Sequence, residues 1–227
     1  MDDAFGQMLR DRADAEIVER DDGFVSVSKL AYFAPVRRWF AVERRALRFV
    51  HGRVLDVGVG AGRVALELQA RGRDVVGIDV SPGAVEVARQ RGVLDVRMLA
   101  FEEVDASLGR FDTLVLFGNN FGLFGSPAKA RRLLRRLRPL AKRIVAGSVD
   151  PYGTSDPAHL AYHARNRARR RMAGQLRLRV RYRDLVDPWF EYLIVSPGEM
   201  LEIIDGTGWC ARRFVQDDGS YYVAVLD

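Results

Sequence analysis

One run, Asp56-Val57-Gly58-Val59-Gly60-Ala61-Gly62-Arg63, constrains the fold of this chain more than any other segment. It joins a short β-type apolar run, 54–57, directly to an amphipathic stretch, 63–71. Three glycines at alternate positions let the backbone turn sharply and let a ligand approach main-chain amides within contact distance. The pattern then repeats. Residues 74–79 read as a second strand and 82–91 as a second helix, with Ser81 as N-cap, Pro82 at the first helical position and Gly92 as a left-handed C-cap. Further strands are expected over 95–98, 112–117 and 143–148, with a basic helix from Pro127 to about Arg138 before the last of them. Strands linked by helical crossovers imply a doubly wound α/β fold with a mostly parallel sheet.

After Asp150 the rhythm changes. A polar, Arg-rich stretch, 151–174, leads into two alternating runs, 176–182 and 189–195, whose period of two predicts antiparallel strands with one wet face. Ser196-Pro197-Gly198-Glu199 predicts a capping box opening a helix through Ile204. Asp217-Asp218-Gly219 predicts a hairpin between 210–215 and 221–226. The expected organisation is an N-terminal helical cap over 1–50, an α/β core over 51–150, and an inserted antiparallel and helical segment over 151–195. A C-terminal helix and hairpin, 196–227, would complete a seven-stranded sheet. The strands of the insertion also offer edges on which another chain can pair, so the oligomeric state is left open.

Composition narrows the class. A chain of 227 residues with 48% hydrophobic residues can bury its own core. The single cysteine, Cys210, excludes an internal disulfide framework, and His51, His159 and His163 do not form a metal-ligand pattern, so no metal is expected. The start, Met1-Asp2-Asp3-Ala4-Phe5-Gly6, is acidic where an export signal is basic and then apolar, and no stretch reaches about 18 uncharged apolar residues. A cytoplasmic protein without membrane contact is expected. The net charge is +6, and all Lys+Arg except Lys29, Lys129 and Lys142 are arginine. A GC-rich genome produces that bias without any nucleic-acid partner, which is therefore not favoured.

The glycine loop separates two cofactor classes. A dinucleotide fingerprint, G-x-G-x-x-G, needs glycine where Arg63 stands. Asp79 closes the second strand about 20 residues after the loop, where a carboxylate can take hydrogen bonds from a ribose diol. Together, Asp56-x-Gly58-x-Gly60-x-Gly62 and Asp79 resemble motif I and the following acidic position of the class I S-adenosylmethionine-dependent methyltransferases. The resemblance covers roughly residues 50–150 well and 196–227 in outline. It implies that the amino-acid end of S-adenosylmethionine, or of its product S-adenosylhomocysteine, lies near Asp56 to Gly62 and Arg63. It further implies ribose hydroxyls on Asp79, and adenine over Val80 beside Leu99-Ala100-Phe101-Glu102. Ala100 and Phe101 replace the acidic residue many members carry there, which leaves backbone contacts or Glu102 to receive the adenine amino group.

The loop after the fourth strand, Phe117-Gly118-Asn119-Asn120, falls where the resemblance places the wall around the transferred methyl. Phe117 and Gly118 are expected against the cofactor. Asn119 or Asn120 either orients the acceptor or merely holds a turn. An N/D-P-P-Y/F segment of DNA-adenine methylating enzymes is absent. In the insertion, His159, Tyr162 and His163 are candidate bases; on a helix the two histidines share a face at i, i+4. Asp150 is a further rim candidate. The expected activity is methyl transfer to an O, N or C atom of a small-molecule acceptor. The alternatives are an RNA or protein methyltransferase that docks substrate on the Arg-rich insertion, or a cofactor-binding regulator without catalysis.

Overall fold

The computed structural model describes residues 3–13, 15–29 and 31–227. Met1 and Asp2, on which the reading of an acidic start partly rests, lie outside the described residues. The chain opens with α1 (Ala4–Arg10), β1 (Ala15–Arg20), β2 (Val25–Lys29) and α2 (Ala41–Ala46). The alternating core follows: β3 (Val54–Val57), α3 (Arg63–Ala70), β4 (Val75–Asp79), α4 (Pro82–Gln90), β5 (Asp95–Met98), β6 (Phe111–Leu116), α5 (Pro127–Leu137) and β7 (Ala141–Val149). Next come α6 (Pro157–Ala168), β8 (Gln175–Tyr182), β9 (Leu185–Val186) and β10 (Phe190–Leu193), then α7 (Pro197–Ile204), β11 (Ala211–Val215) and β12 (Tyr221–Leu226).

Two sheets result. The core sheet has seven strands in the order β11-β12-β7-β6-β3-β4-β5. Its five strands from β7 to β5 are parallel, while β12 runs antiparallel to β7 and to β11. The short apolar strands are buried on both faces, as a sheet covered by helices on two sides requires. Successive crossovers run outward from β3 in opposite directions, so the chain reverses between β3 and β6. In open α/β sheets that reversal leaves a crevice at the carboxyl ends of the strands.

The second sheet, in the order β10-β8-β1-β2 with β9 on β8, stands over that crevice. The N-terminal segment, expected as a helical cap, holds α1 and α2 but also two strands joined by a turn at Asp21-Asp22-Gly23, where Gly23 is left-handed. Glu16, Glu19 and Arg20 on β1 and the serines of β2 disguise them as polar surface. The edge of β8 expected to be open to another chain is paired with β1 of the same chain, Val18 opposite Val180. Alternation divides this sheet cleanly. Leu176, Leu178 and Val180 face the crevice, while Arg179 and Arg181 point away to Glu19.

Helix α1 ties the two sheets together. Its N-cap Asp3 accepts the Gly6 amide and the Ser81 hydroxyl (2.6 and 2.7 Å), and Asp187, after β9, accepts the amides of Ala4 and Phe5 (2.7 and 3.1 Å). Gly6 and Gly83 meet backbone to backbone: a Cβ on Gly83 would stand 2.5 Å from the Gly6 Cα. Among the described residues no helix is long and apolar enough to cross a membrane.

Candidate functional site

A cavity of about 1230 Å³ fills the space between the carboxyl ends of β3, β4 and β6 and the inner face of the second sheet. Its floor is the glycine loop. Gly58, Gly60 and Gly62 all take left-handed backbone angles, with φ of 71°, 52° and 78°. The amides of Gly58 and Val59 both donate to the Ile78 carbonyl, and the Gly60 amide donates to Asp79 Oδ2 (2.9 Å). Asp79 Oδ1 accepts the Ser81 amide (3.0 Å), so one carboxylate holds both the loop and the start of α4. Burial pushes the Asp79 carboxyl above its ordinary range, against the two amides.

Asp56 differs. It is 2% exposed, and its Oδ2 has no hydrogen-bond partner among the described residues. Burial pushes its carboxyl up to about 7, opposed by the positive charge of Arg63. A buried carboxylate oxygen without a donor is costly unless a ligand supplies one. The residues present therefore fit a group bearing a cationic or hydrogen-bond-donating end.

The other expected contacts distribute unevenly. Gly58, Asp79, Val80, Phe101, Phe117 and Gly118 line the cavity with Asp56 and Arg63. Gly60 lies beneath the ring of Tyr32, and Gly62 packs on Val93, which occupies the space a Cβ would need. Ala100 does not line the cavity, although Leu99, Phe101 and Glu102 do; its amide donates to Glu103. Of Tyr32, Phe33, Trp39 and Phe40, clustered among charges near the N-terminus, Tyr32 lines the cavity, as do Phe5 and Phe24. Trp39 is buried under the Arg63 guanidinium, and Phe40 lies on Tyr221.

Both asparagines serve the loop itself. Asn120 donates to the carbonyls of Val57 and Gly58 (2.8 and 3.2 Å), standing where a side chain on Gly58 would be. Asn119, left-handed at φ 70°, accepts the Val149 amide through Oδ1 (3.0 Å), and its carbonyl accepts the Tyr192 hydroxyl (2.6 Å). Beneath Gly118 lies a network invisible in the sequence. Glu43, fully buried on α2, accepts two bonds from Arg63, one from the Gly118 amide and one from the Tyr221 hydroxyl, all at 2.9 Å. The charge of Arg63 is thus spent on Glu43.

On α6 the two histidines share the cavity-facing side, as their spacing predicts, and Tyr162 does not. The Tyr162 hydroxyl donates to Asp21 (2.8 Å), its ring is flanked by Arg20 and Arg165, and burial pushes it up to about 12. His159 Nδ1 lies 2.8 Å from Arg20 Nη1. A guanidinium only donates, so Nδ1 accepts, and a neutral ring keeps its proton on Nε2. His159 therefore presents a donor to the cavity. Burial and the neighbouring positive groups hold His163 below its ordinary range, and hence neutral. Asp150 lies on the rim, accepting the Tyr152 amide. Among the described residues no three His, Cys, Asp or Glu are grouped to hold a metal ion.

Comparison with known proteins places these features in context. The family described as a methyltransferase domain matches residues 54–143. A magnesium-protoporphyrin O-methyltransferase from Rhodobacter capsulatus is 39% identical over 67 residues, 28% of this chain and 30% of that protein. A ubiquinone/menaquinone biosynthesis C-methyltransferase from Citrifermentans bemidjiense is 32% identical over 118 residues, 47% of this chain and 46% of that protein. The matches thus span less than half the length of these relatives. A solved structure covers far more: an S-adenosylmethionine-dependent methyltransferase from Bacteroides fragilis, in complex with S-adenosylhomocysteine, is similar over 99% of this chain and 92% of its own. That similarity has a TM-score of 0.80 at 26% identity, and so takes in the second sheet as well as the core.

Proposed function

This chain carries a class I S-adenosylmethionine-dependent methyltransferase domain, and on that premise we propose that it transfers a methyl group to an O, N or C atom of a small-molecule acceptor. The observation that carries the reading is the cavity floor, where a loop turned by three left-handed glycines brings Asp79 and an Asp56 oxygen with no partner among the described residues to one crevice. The end-to-end likeness to a structure holding S-adenosylhomocysteine supports it. S-adenosylmethionine supplies, when bound, a methyl group on a positively charged sulfur.

The chain's own residues hold, orient and keep dry. Asp56 takes the cofactor's ammonium, and the free lone pairs of Asp79 take the ribose hydroxyls. Gly58 lines the cavity and leaves room for the Asn120 side chain that braces the loop, while Gly60 and Gly62 give the loop its course. Val80, Leu99 and Phe101 form the adenine wall, with Ala100 contributing through its place in the turn. Phe117 and Gly118 border the transferred methyl. Asn119 and Asn120 act as positioning residues, through the loop they brace. His163 is a neutral hydrogen-bond acceptor on the acceptor side and His159 a hydrogen-bond donor, while Tyr162 acts only through Arg20. Alignment at contact distance supplies most of the acceleration for a displacement of this kind.

Calorimetric titration tests both donor and orientation. S-adenosylhomocysteine should bind with micromolar affinity and NAD should not; failure of S-adenosylhomocysteine to bind would remove the proposal. Because the Asp56 carboxyl titrates near 7 in the free protein and an ammonium stabilises its ionised form, binding near pH 6 should release protons. Affinity should therefore rise with pH until about 7 and then level. The heat measured in two buffers of different ionisation enthalpy reads that release. Equal heats would take the ammonium away from Asp56 and leave the donor assignment standing.

A further inference from the structure

The wall facing the glycine loop is a β-sheet surface, apolar at Val18, Leu176, Leu178 and Val180. Two ionisable side chains of β1 break it. Arg20 is already engaged: it donates to both Asp22 oxygens, to His159 and to the Ala158 carbonyl. Glu16 is not. It lines the cavity with one hydrogen-bond partner among the described residues, the Tyr32 hydroxyl, at a long 3.3 Å.

Its position matters as much as its freedom. The Tyr32 ring covers Gly60, 3.6 Å from where a Cβ would stand, so Glu16 lies where the floor meets the opposite wall. The nearby Tyr192 hydroxyl is committed, donating to the Asn119 carbonyl. A carboxylate has about four acceptor sites, and one long bond leaves most of them for a ligand. Burial pushes Glu16 up to about 7, in the range where a carboxyl can take a proton and give it back. The titratable groups facing it are the phenols of Tyr32 and Tyr192, with Asp79 on the far side of Tyr32. Burial keeps both phenols above their ordinary range, so neither titrates near neutrality.

We propose that Glu16 is the specificity-determining acid of the acceptor site, which takes a largely apolar, ring-sized molecule carrying an O–H or N–H donor that is held against the Glu16 carboxylate. This deepens the methyltransferase reading and rests on it for the identity of the reacting atom. In the proton step the acceptor's O–H or N–H bond breaks with its electron pair left on the acceptor atom. A new O–H bond forms on Glu16, and the proton later passes to solvent. The four apolar side chains give the ring its wall, and an anionic ring compound is rejected because it would bring a second negative charge beside a buried acid.

The test uses three naphthalene probes titrated into protein saturated with S-adenosylhomocysteine: 2-naphthol, 2-methoxynaphthalene and naphthalene-2-carboxylate. The wild type should prefer 2-naphthol over the methyl ether by about tenfold or more and bind the carboxylate least, since a buried acceptor left without its donor is penalised. The naphthol preference should grow between about pH 6 and about pH 8, as the carboxylate forms. Glu16→Leu should erase it, bringing naphthol and ether to similar affinity, with S-adenosylhomocysteine affinity retained. Glu16→Gln, which keeps shape but cannot ionise, should remove the pH dependence even where the leucine variant folds poorly. Equal binding of naphthol and ether by the wild type, an unchanged preference in Glu16→Leu, or no binding of any probe at millimolar concentration overturns the proposal. Failure of S-adenosylhomocysteine to bind is a separate result, which strikes the donor reading; the probes are then compared in the unloaded protein.

Discussion

Glu43→Ala is expected to lower the melting temperature by on the order of 10 °C, although residue 43 lies outside the matched domain. Glu43 is fully buried and Arg63 nearly so, and the carboxylate takes four hydrogen bonds from α3, the Gly118 loop and β12. Removing it leaves a guanidinium against Trp39 without its hydrogen-bonded partner and the Tyr221 hydroxyl without its acceptor. Breaking a buried pair from one side costs about 3–5 kcal/mol, whereas replacing both partners with apolar residues of similar volume costs much less. Glu43→Leu combined with Arg63→Met should therefore recover much of the loss. Thermal unfolding of the single and double variants checks this, and a single variant melting within about 2 °C of the wild type would show that the network does not support the fold.

Asp79→Ala should weaken S-adenosylhomocysteine binding by roughly a hundredfold, on the basis of about 1–3 kcal/mol for each bond or unsatisfied donor. Two effects add here. In the proposed binding mode the ribose loses its acceptor, and the Gly60 and Ser81 amides lose the carboxylate that fixes the loop against α4. The melting temperature should move less, because an acid held above its ordinary range by burial is itself costly to the fold, and its removal offsets part of the lost bonding. Calorimetry on a variant shown by circular dichroism to be folded reads the result. Unchanged affinity would remove Asp79 from the ribose contact.

The core sheet was legible because its signals are local. The glycine loop, the Ser81-Pro82 start, the Ser196 to Glu199 capping box and the Asp217-Asp218-Gly219 hairpin each declare themselves within a few residues, and each stands where its pattern places it. The second sheet was half legible. Its β8 and β10 alternate openly, but β1 carries Glu16, Glu19 and Arg20, and its partner is remote in sequence. The turn at Asp21-Asp22-Gly23 was the available signal, the same tripeptide that marks the later hairpin. Glu43 and Tyr221 had no such signal. Nothing in an amphipathic helix distinguishes a carboxylate that meets solvent from one that meets an arginine brought in by another element. The asparagines show the converse limit, since their type suited both an acceptor contact and a turn, and the structure commits both side chains to backbone.

The pairing of Val18 with Val180 also sets an order in time. A chain emerging from the ribosome delivers β1 and β2 first, yet a two-stranded hairpin is marginal in water. It must wait for β8 before its ladder is stable, while β3, β4 and β5 can already associate through neighbouring crossovers. The core strands around the glycine loop are thus expected to pair before the second sheet, whose β1 and β8 lie in the chain on either side of them. Pulse labelling of refolding protein should find the amides of β1 protected only after those of β3 and β4, and earlier protection of β1 would reverse that order.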